Sequence, residues 1–396
     1  MKSHGNLRVL LLAWNYPPAL GGIEDVACHL ADSLHQSGFD LRVIARAGAR
    51  EAAGALGVHR PKRPGLRRYL LFSFWQGLVH CIRERPHMIV CPGIVDAPTG
   101  SFLATLFRIR LVLLAHGSDV VHGGAVYRFV VRFLFRRADG IAANSANTVR
   151  LLSDLGCKPE RIRLIHPGID AGAFRVDVQD RARIRAQLDV ADRRVVLSAG
   201  RVIRRKGIHL FVTECLPGLV KAFPDLLYVI AGGDASESLV HHESLLAEIR
   251  ESVERLGLSE NVLITGKVTD ADLRAYYQAA DVFLMPAIEV PGDVEGFGIV
   301  FLEAAAAEVP AVATVCGGIP EAVVHNKTGL LVAPGDWKAI ERAVSTLLHD
   351  DNFRRRLGAA ACARAFAEFD WSKIGAAYRE EILVWAGQHQ GDGHAS

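Results

Sequence analysis

Glu295 and Glu303 enclose the seven residues Gly-Phe-Gly-Ile-Val-Phe-Leu. Before them, Asp281-Val282-Phe283-Leu284-Met285-Pro286 reads as a short apolar strand stopped by a proline. After them, Phe301 to Glu308 is alanine-rich with no breaker until Pro310, which predicts a helix. Gly296 and Gly298 carry no Cβ, so the backbone between strand and helix can approach a ligand closely. The first free N–H groups of the helix, around Gly298 to Val300, would favour an anion there. Glu295 falls in the loop and Glu303 at least a turn inside the helix, so they reach different parts of one elongated ligand. A diphosphate lying between two hydroxyl-bearing groups suits that arrangement. A second cluster points to the same chemistry: Val195–Ala199 reads as a strand and delivers Gly200-Arg201-Val202-Ile203-Arg204-Arg205-Lys206-Gly207. Arg201 and Lys206, five residues apart beside glycines, make a diphosphate clamp, a forked guanidinium beside a point charge. The bland alternative is an exposed basic turn in which Arg204 and Arg205 have no role.

The run from Glu295 to Glu303 resembles the Glu-x7-Glu signature of the retaining, nucleotide-sugar-dependent glycosyltransferases of family 4, and the resemblance spans nearly the whole chain. It implies a GT-B fold: two Rossmann-like lobes of α/β type facing across a cleft, with a C-terminal helix crossing back to the first lobe. It also implies roles. Glu295 would bond hydroxyls of the donor sugar and Glu303 the ribose hydroxyls. The N–H groups of Phe297, Gly298, Ile299 and Val300 would meet sugar and diphosphate, and Arg201 and Lys206 the departing diphosphate. Gly21 and Gly22, in Pro17-Pro18-Ala19-Leu20-Gly21-Gly22-Ile23-Glu24, match the family's glycine loop. His116, in His116-Gly117-Ser118-Asp119, matches a histidine that contacts the donor sugar, with Asp119 capping the next helix or holding the loop. Backbone groups of Lys267 and Val268 would read the base edge, while Thr269 and Asp272 also suit a plain helix cap. No essential metal, no other cofactor and no covalent protein nucleophile are implied.

The elements that must carry these residues come in two series. Candidate strands in the first half are Leu7–Ala13, Leu41–Ala45, Met88–Val90, Leu111–Ala115, Gly140–Ala143 and Ile162–Ile165. In the second half they are Val195–Ala199, Leu227–Ala231, Val262–Thr265, Val282–Met285, Ala311–Thr314 and Leu330–Val332. Helical stretches between them give the βαβ alternation of parallel sheets. Gly22 to Ser37 is helical by the spacing of Val26, Leu30 and Leu34, and Gly38 ends it. A hinge-like passage from Pro167 to Val178 separates an N-terminal acceptor-side domain, 1–170, from a nucleotide-sugar-binding domain, 171–370. From Trp371 a helix would pack back on the first domain, with a frayed tail from about Gln388. A chain of 396 residues suits two cores better than one.

Charge and cysteines narrow the class further. Seven scattered cysteines without a CxxC pair argue for reduced thiols in the cytoplasm and against a zinc site. No run of roughly 18 apolar residues marks a membrane span. The net charge of +3 conceals a balance of +10 in residues 1–170 against −7 in the remainder. Nucleic acid would explain a basic lobe, but neither an aromatic-basic RNA-binding pattern nor a helix-turn-helix spacing is present. An anionic acceptor or membrane surface fits better. Arg60, Lys62, Arg63, Arg67 and Arg68 lead into the run Tyr69-Leu70-Leu71-Phe72-Ser73-Phe74-Trp75, which suits an anionic bilayer, although Tyr69 to Ile82 also reads as a buried helix of the first lobe. Arg128 to Arg137 is similarly basic and sits where the fold needs a core helix. The expected activity is transfer of a hexose, mannose from GDP-mannose or else a UDP-hexose, to a lipid-linked or glycan hydroxyl. An NDP-sugar epimerase of the same architecture and a non-catalytic nucleotide-sugar-binding protein are the alternatives.

Overall fold

The computed structural model describes residues 7–19, 21–48, 57–175, 178–234 and 244–387. Leu20 of the glycine loop, residues 176–177 of the hinge-like passage and the tail from Gln388 lie outside the described residues. The chain divides into two compact units, Met1–Gly168 with Trp371–Ser396, and Ile169–Asp370.

The first unit contains β1 (Arg8–Ala13), β2 (Asp40–Ala45), β3 (Val58–His59), β4 (Met88–Cys91), β5 (Arg110–Ala115), β6 (Gly140–Ala143) and β7 (Ile162–Leu164). They form one parallel sheet in the order β3-β2-β1-β4-β5-β6-β7. The two-residue strand β3 was not anticipated, because so short a segment carries no periodicity. One sheet face is covered through Leu10, Leu12, Tyr69, Leu103, Val131 and Phe135. Leu10 and Leu12 alternate with Val9 and Leu11, all almost fully buried, as expected of a strand covered on both sides. The helix Trp371–Trp385 packs on the helix Gly22–Gln36 of the same unit.

The second unit contains β8 (Arg194–Ala199), β9 (Leu226–Ala231), β10 (Val262–Gly266), β11 (Val282–Met285), β12 (Ala311–Thr314) and β13 (Gly329–Val332). Its parallel sheet runs β10-β9-β8-β11-β12-β13. All four residues of β11 are buried: Phe283 and Met285 enter one core, Val282 and Leu284 the other. The helix after the Glu295 loop spans Ile299–Ala306, two residues ahead of the Phe301–Glu308 expectation. Gly298, at φ +90°, turns the chain into it, and Glu308, at φ +60°, closes the segment that follows. Together the sheets make an α/β two-lobe GT-B fold. Among the described residues no helix is long and apolar enough to cross a membrane.

Candidate active site

In the second unit the chain leaves β8 towards β9 on one side, while β11 lies on the other. The strand order therefore reverses between β8 and β11, the place where open α/β sheets bind ligands beyond their carboxyl ends. Both motifs emerge there: Gly200–Gly207 from β8 and Pro286–Gly298 from β11. The two loops are locked together, since Ile288 N donates to Arg205 O at 2.8 Å. At Gly207, φ is +70° and a Cβ would overlap the Pro286 carbonyl oxygen, so only glycine permits this approach. The Glu295 carbonyl accepts from Gly318 N at 2.9 Å, and the Ala287 carbonyl accepts from Thr314 Oγ1 at 2.6 Å, tying the loop to the end of β12.

The side chains converge on this junction. Arg205 is buried and its guanidinium binds two carboxylates, Asp293 through Nε at 3.1 Å and Glu295 through Nη1. Lys206 is also buried, and its ammonium donates to Ala199 O at 2.9 Å. Burial pulls its pKa down to about 8, against the opposing pull of Glu295 and Glu303; Arg205 and Arg201 lower it further. Arg201 itself is exposed. Glu303 accepts a 2.6 Å hydrogen bond from Tyr277 OH. Its carboxyl is raised above the usual range, first by burial, while Tyr277 and Lys206 favour the charged form. Lys206 thus lies within the field of both glutamates. The first N–H groups of the helix Ile299–Ala306 have no carbonyl of their own helix to bind. Phe297 points its ring into the core against Phe369, leaving only its backbone for a ligand.

Lys267 and Val268 follow β10, with the Lys267 stem close to Gly233. Thr269 caps the helix Asp270–Ala279, accepting from Asp272 N at 3.2 Å.

In the first unit, Gly21 and Gly22 are exposed at the carboxyl end of β1, at the start of the helix Gly22–Gln36. Glu24 in its first turn accepts from Asn15 Nδ2 at 2.7 Å. His116 follows β5; its Nε2 lies 2.6 Å from Pro92 O and must carry the proton to bond a carbonyl. Asp119 accepts from the His116 N–H at 3.0 Å, which holds the loop, and does not cap the helix Ser118–Val121. Beside these, Asp96 at the end of the β4 loop accepts from Trp14 N and, at 2.5 Å, from Tyr69 OH. Burial lifts its pKa to about 7.

Of the basic segment, Lys62, Arg63, Arg67 and Arg68 are exposed. Arg60 instead turns inward over the Tyr16 ring and donates to Arg46 O at 2.8 Å. The residues that sequence reasoning passed over are Arg205, Asp293 and Tyr277. Spacing favoured Arg201 and Lys206 over their neighbour, and nothing local announces that Arg205 finds two carboxylates some ninety residues on.

Comparison with known proteins gives the same picture in outline. The profile described as Glycosyl transferases group 1 matches residues 180–364, and that of Glycosyltransferase Family 4 matches residues 20–172. A GDP-mannose-dependent alpha-(1-6)-phosphatidylinositol monomannoside mannosyltransferase of Mycobacterium tuberculosis is 30% identical over 386 residues, covering 93% of this chain and 96% of that one. A D-inositol 3-phosphate glycosyltransferase of Kineococcus radiotolerans is 32% identical over 75% of this chain and 69% of its own length. Among solved structures, HepE of Anabaena in complex with UDP and glucose superposes with a TM-score of 0.80 at 20% identity, covering 96% of this chain and all of that one. That identity speaks for the fold alone. With both halves matched by the two profiles and a relative aligned almost end to end, the chain belongs to glycosyltransferase family 4.

Proposed function

We propose that the protein transfers a hexose, with retention, from a nucleoside diphosphate sugar to a hydroxyl of a lipid-linked or glycan acceptor, and that the donor is GDP-mannose. The observation that carries this reading is the junction of β8 and β11. There Arg205 fixes Glu295, and Lys206 sits buried within reach of the fields of Glu295 and Glu303. A cation held in a dry site interacts strongly with phosphate and needs no reorganisation when charge develops on the leaving group. Lys206, Arg201 and the helix N-terminus at Gly298 to Val300 bind the diphosphate, taking the electrostatic role that a divalent metal has elsewhere. Glu303, oriented by Tyr277, takes the ribose hydroxyls, and Glu295 takes sugar hydroxyls. Lys267 and Val268 flank the base, and His116 with the Gly21–Gly22 turn belongs to the sugar and acceptor side. In the reaction the bond from the anomeric carbon to the diphosphate oxygen breaks. The acceptor oxygen bonds that carbon on the same face, and its proton passes to a donor phosphate oxygen. GDP-mannose is preferred because the relative aligned over nearly the full chain carries that donor in its name. The cytoplasmic compartment, where such donors and reduced thiols coexist, is the expected location.

A thermal-shift panel of GDP, UDP, ADP, NAD and the corresponding nucleotide sugars tests the donor. A ligand at about a hundred times its Kd adds roughly 2.7 kcal/mol to the folded state, several degrees for a domain of this size. A rise with GDP and GDP-mannose is expected. A rise only with UDP compounds would replace the donor, and no rise with any nucleoside diphosphate would overturn the reading. Glu295→Ala is expected to leave that shift in place and lower turnover about a hundredfold or more; undiminished turnover would remove Glu295 from the site.

A further inference from the structure

Thirteen large apolar side chains stand exposed among the described residues, and ten of them lie on three helices of the first unit. The helix Leu66–Arg83 exposes Leu71, Trp75, Val79 and Ile82, a stripe at helical spacing. The helix Ala97–Phe107 adds Phe102 and Leu106, one turn apart. The helix Ala125–Arg137 adds Val126, Phe129, Val130 and Phe133, again a single stripe, while Val131, Leu134 and Phe135 face its core. The core helix expected at Arg128 to Arg137 is present, packed through Val131, Leu134 and Phe135, and its opposite face is exposed. Phe129 is 72% and Trp75 60% exposed. The middle helix packs against both others. It touches the first closely enough that a Cβ on Gly77 would strike Leu103, and the Phe74 and Phe102 rings lie 5.5 Å apart. The stripes thus adjoin as one outer face, larger than the isolated apolar spots of ordinary surfaces.

Charge identifies what covers it. Residues 60–83 and 97–137, which contain the three helices, hold twelve lysines and arginines and a single acid, Asp119. Arg128, Arg132, Arg136 and Arg137 are exposed on the same helix as the Phe129 stripe, and Arg67 and Arg68 open the Trp75 helix. A second copy of the chain docking through this face would set like charges against each other, which opposes a symmetric dimer. An apolar face rich in Phe and Trp and fringed by arginine matches the boundary of an anionic bilayer, where rings enter the acyl region and guanidinium groups meet phosphate.

We infer that this three-helix face seats the protein on the surface of a membrane containing anionic phospholipid, through Trp75, Phe102 and Phe129 in the lipid and Arg128 and Arg132 at the headgroups. The seat rests on the first unit alone and does not depend on the donor proposed above.

The test is co-sedimentation of the full chain with vesicles of phosphatidylcholine alone and of phosphatidylcholine with about three parts in ten phosphatidylglycerol. The wild type is expected to bind the anionic vesicles at least about tenfold more tightly. The double variant Trp75→Glu with Phe129→Glu, and the double variant Arg128→Glu with Arg132→Glu, are each expected to lose about tenfold or more in affinity. An unchanged GDP thermal shift in both variants shows that the fold and donor site persist, so that a failed donor assignment and a failed membrane seat are told apart. Wild type that ignores anionic vesicles, or variants that bind like wild type, would overturn the inference. So would a concentration-dependent dimer in sedimentation velocity that the same substitutions dissolve.

Discussion

At the scale of single residues, Arg205 shows how a neighbour of a recognised motif can govern it. Its two carboxylate partners share a largely dry environment, with side chains about one-tenth exposed. Removing the cation takes from Asp293 and Glu295 the guanidinium they share, and breaking a buried pair from one side costs about 3–5 kcal/mol. Arg205→Ala should therefore lower the melting of the second unit by that order and release Glu295 from its position. Arg205→Lys should recover part of the stability but not the forked geometry. A melt of Arg205→Ala superimposable on wild type would show that the pair contributes nothing. Lys206 makes a separate claim about pH. Its pKa in the folded chain, about 8, lies below the ordinary lysine value. Between the two values the unfolded chain keeps the proton and the folded one sheds it, so this group's penalty on stability is relieved as pH rises through that window. The diphosphate role proposed for Lys206 runs the other way, because an anionic ligand favours the ammonium. GDP affinity should fall above about pH 8, by up to about tenfold per pH unit, and Lys206→Met should be weaker throughout and flat over the same range. Titration calorimetry between pH 7 and 9.5, flat for the wild type, would refute the role given to Lys206.

At the scale of elements, the site depends on how close the β8 and β11 loops come, and glycine sets that distance. Gly207 and Gly266 have nearly the same left-handed backbone, φ +70° and +69°, yet a Cβ on Gly207 would overlap the Pro286 carbonyl whereas one on Gly266 meets nothing within 4 Å. Gly266→Ala should cost only the left-handed strain, about 1–2 kcal/mol. Gly207→Ala should cost more and weaken nucleotide binding as well, since the loops must part. Equal losses by urea denaturation would mean that the close approach is not what fixes the pair. This contrast also marks the limit of sequence reading. The twelve anticipated strands were legible because each is an apolar run ending at Gly, Pro or a polar loop, and β11 announces itself by Val282 to Met285 alone. The placement of the Glu295 and Arg201 stretches after strand ends was legible because each follows an apolar run closed by glycine or proline. The partner of Glu295 was not, because it is set by which strands become neighbours, and β8 and β11 are neighbours only once the sheet order is fixed. The exposed apolar face of the helix Ala125–Arg137 was not legible for a related reason. Its apolar residues outnumber what one core stripe needs, and only packing decides which stripe stays outside.

At the scale of the whole molecule, the two units are closed in different ways. The second is one continuous segment, and its ends meet: Ile169 N donates to Phe369 O at 2.9 Å, and Ile169 bridges Asp370. The first is discontinuous and is completed only when the chain returns as the helix Trp371–Trp385. That helix is embedded in it. Trp371 stacks on His29 with ring centres 4.7 Å apart, and Gly375 lies so near Ser33 that a Cβ would strike its hydroxyl. Trp385 covers Gly140 of β6 as closely, and its carbonyl accepts from Arg110 at 2.5 Å. Glu381 meets Arg163 at 3.0 Å. Losing a buried tryptophan alone costs about 3–5 kcal/mol, a large part of a domain's whole stability. Residues 169–370 expressed alone should therefore melt cooperatively, whereas residues 1–168 alone should not. Supplying 371–387 through a flexible linker should restore a cooperative transition to the first unit, and Trp385→Ala should weaken that restoration. Circular dichroism and hydrogen exchange on the separate pieces decide the matter. A sharp melt from residues 1–168 alone would show that the returning helix is an accessory to the first unit and not a part of its core.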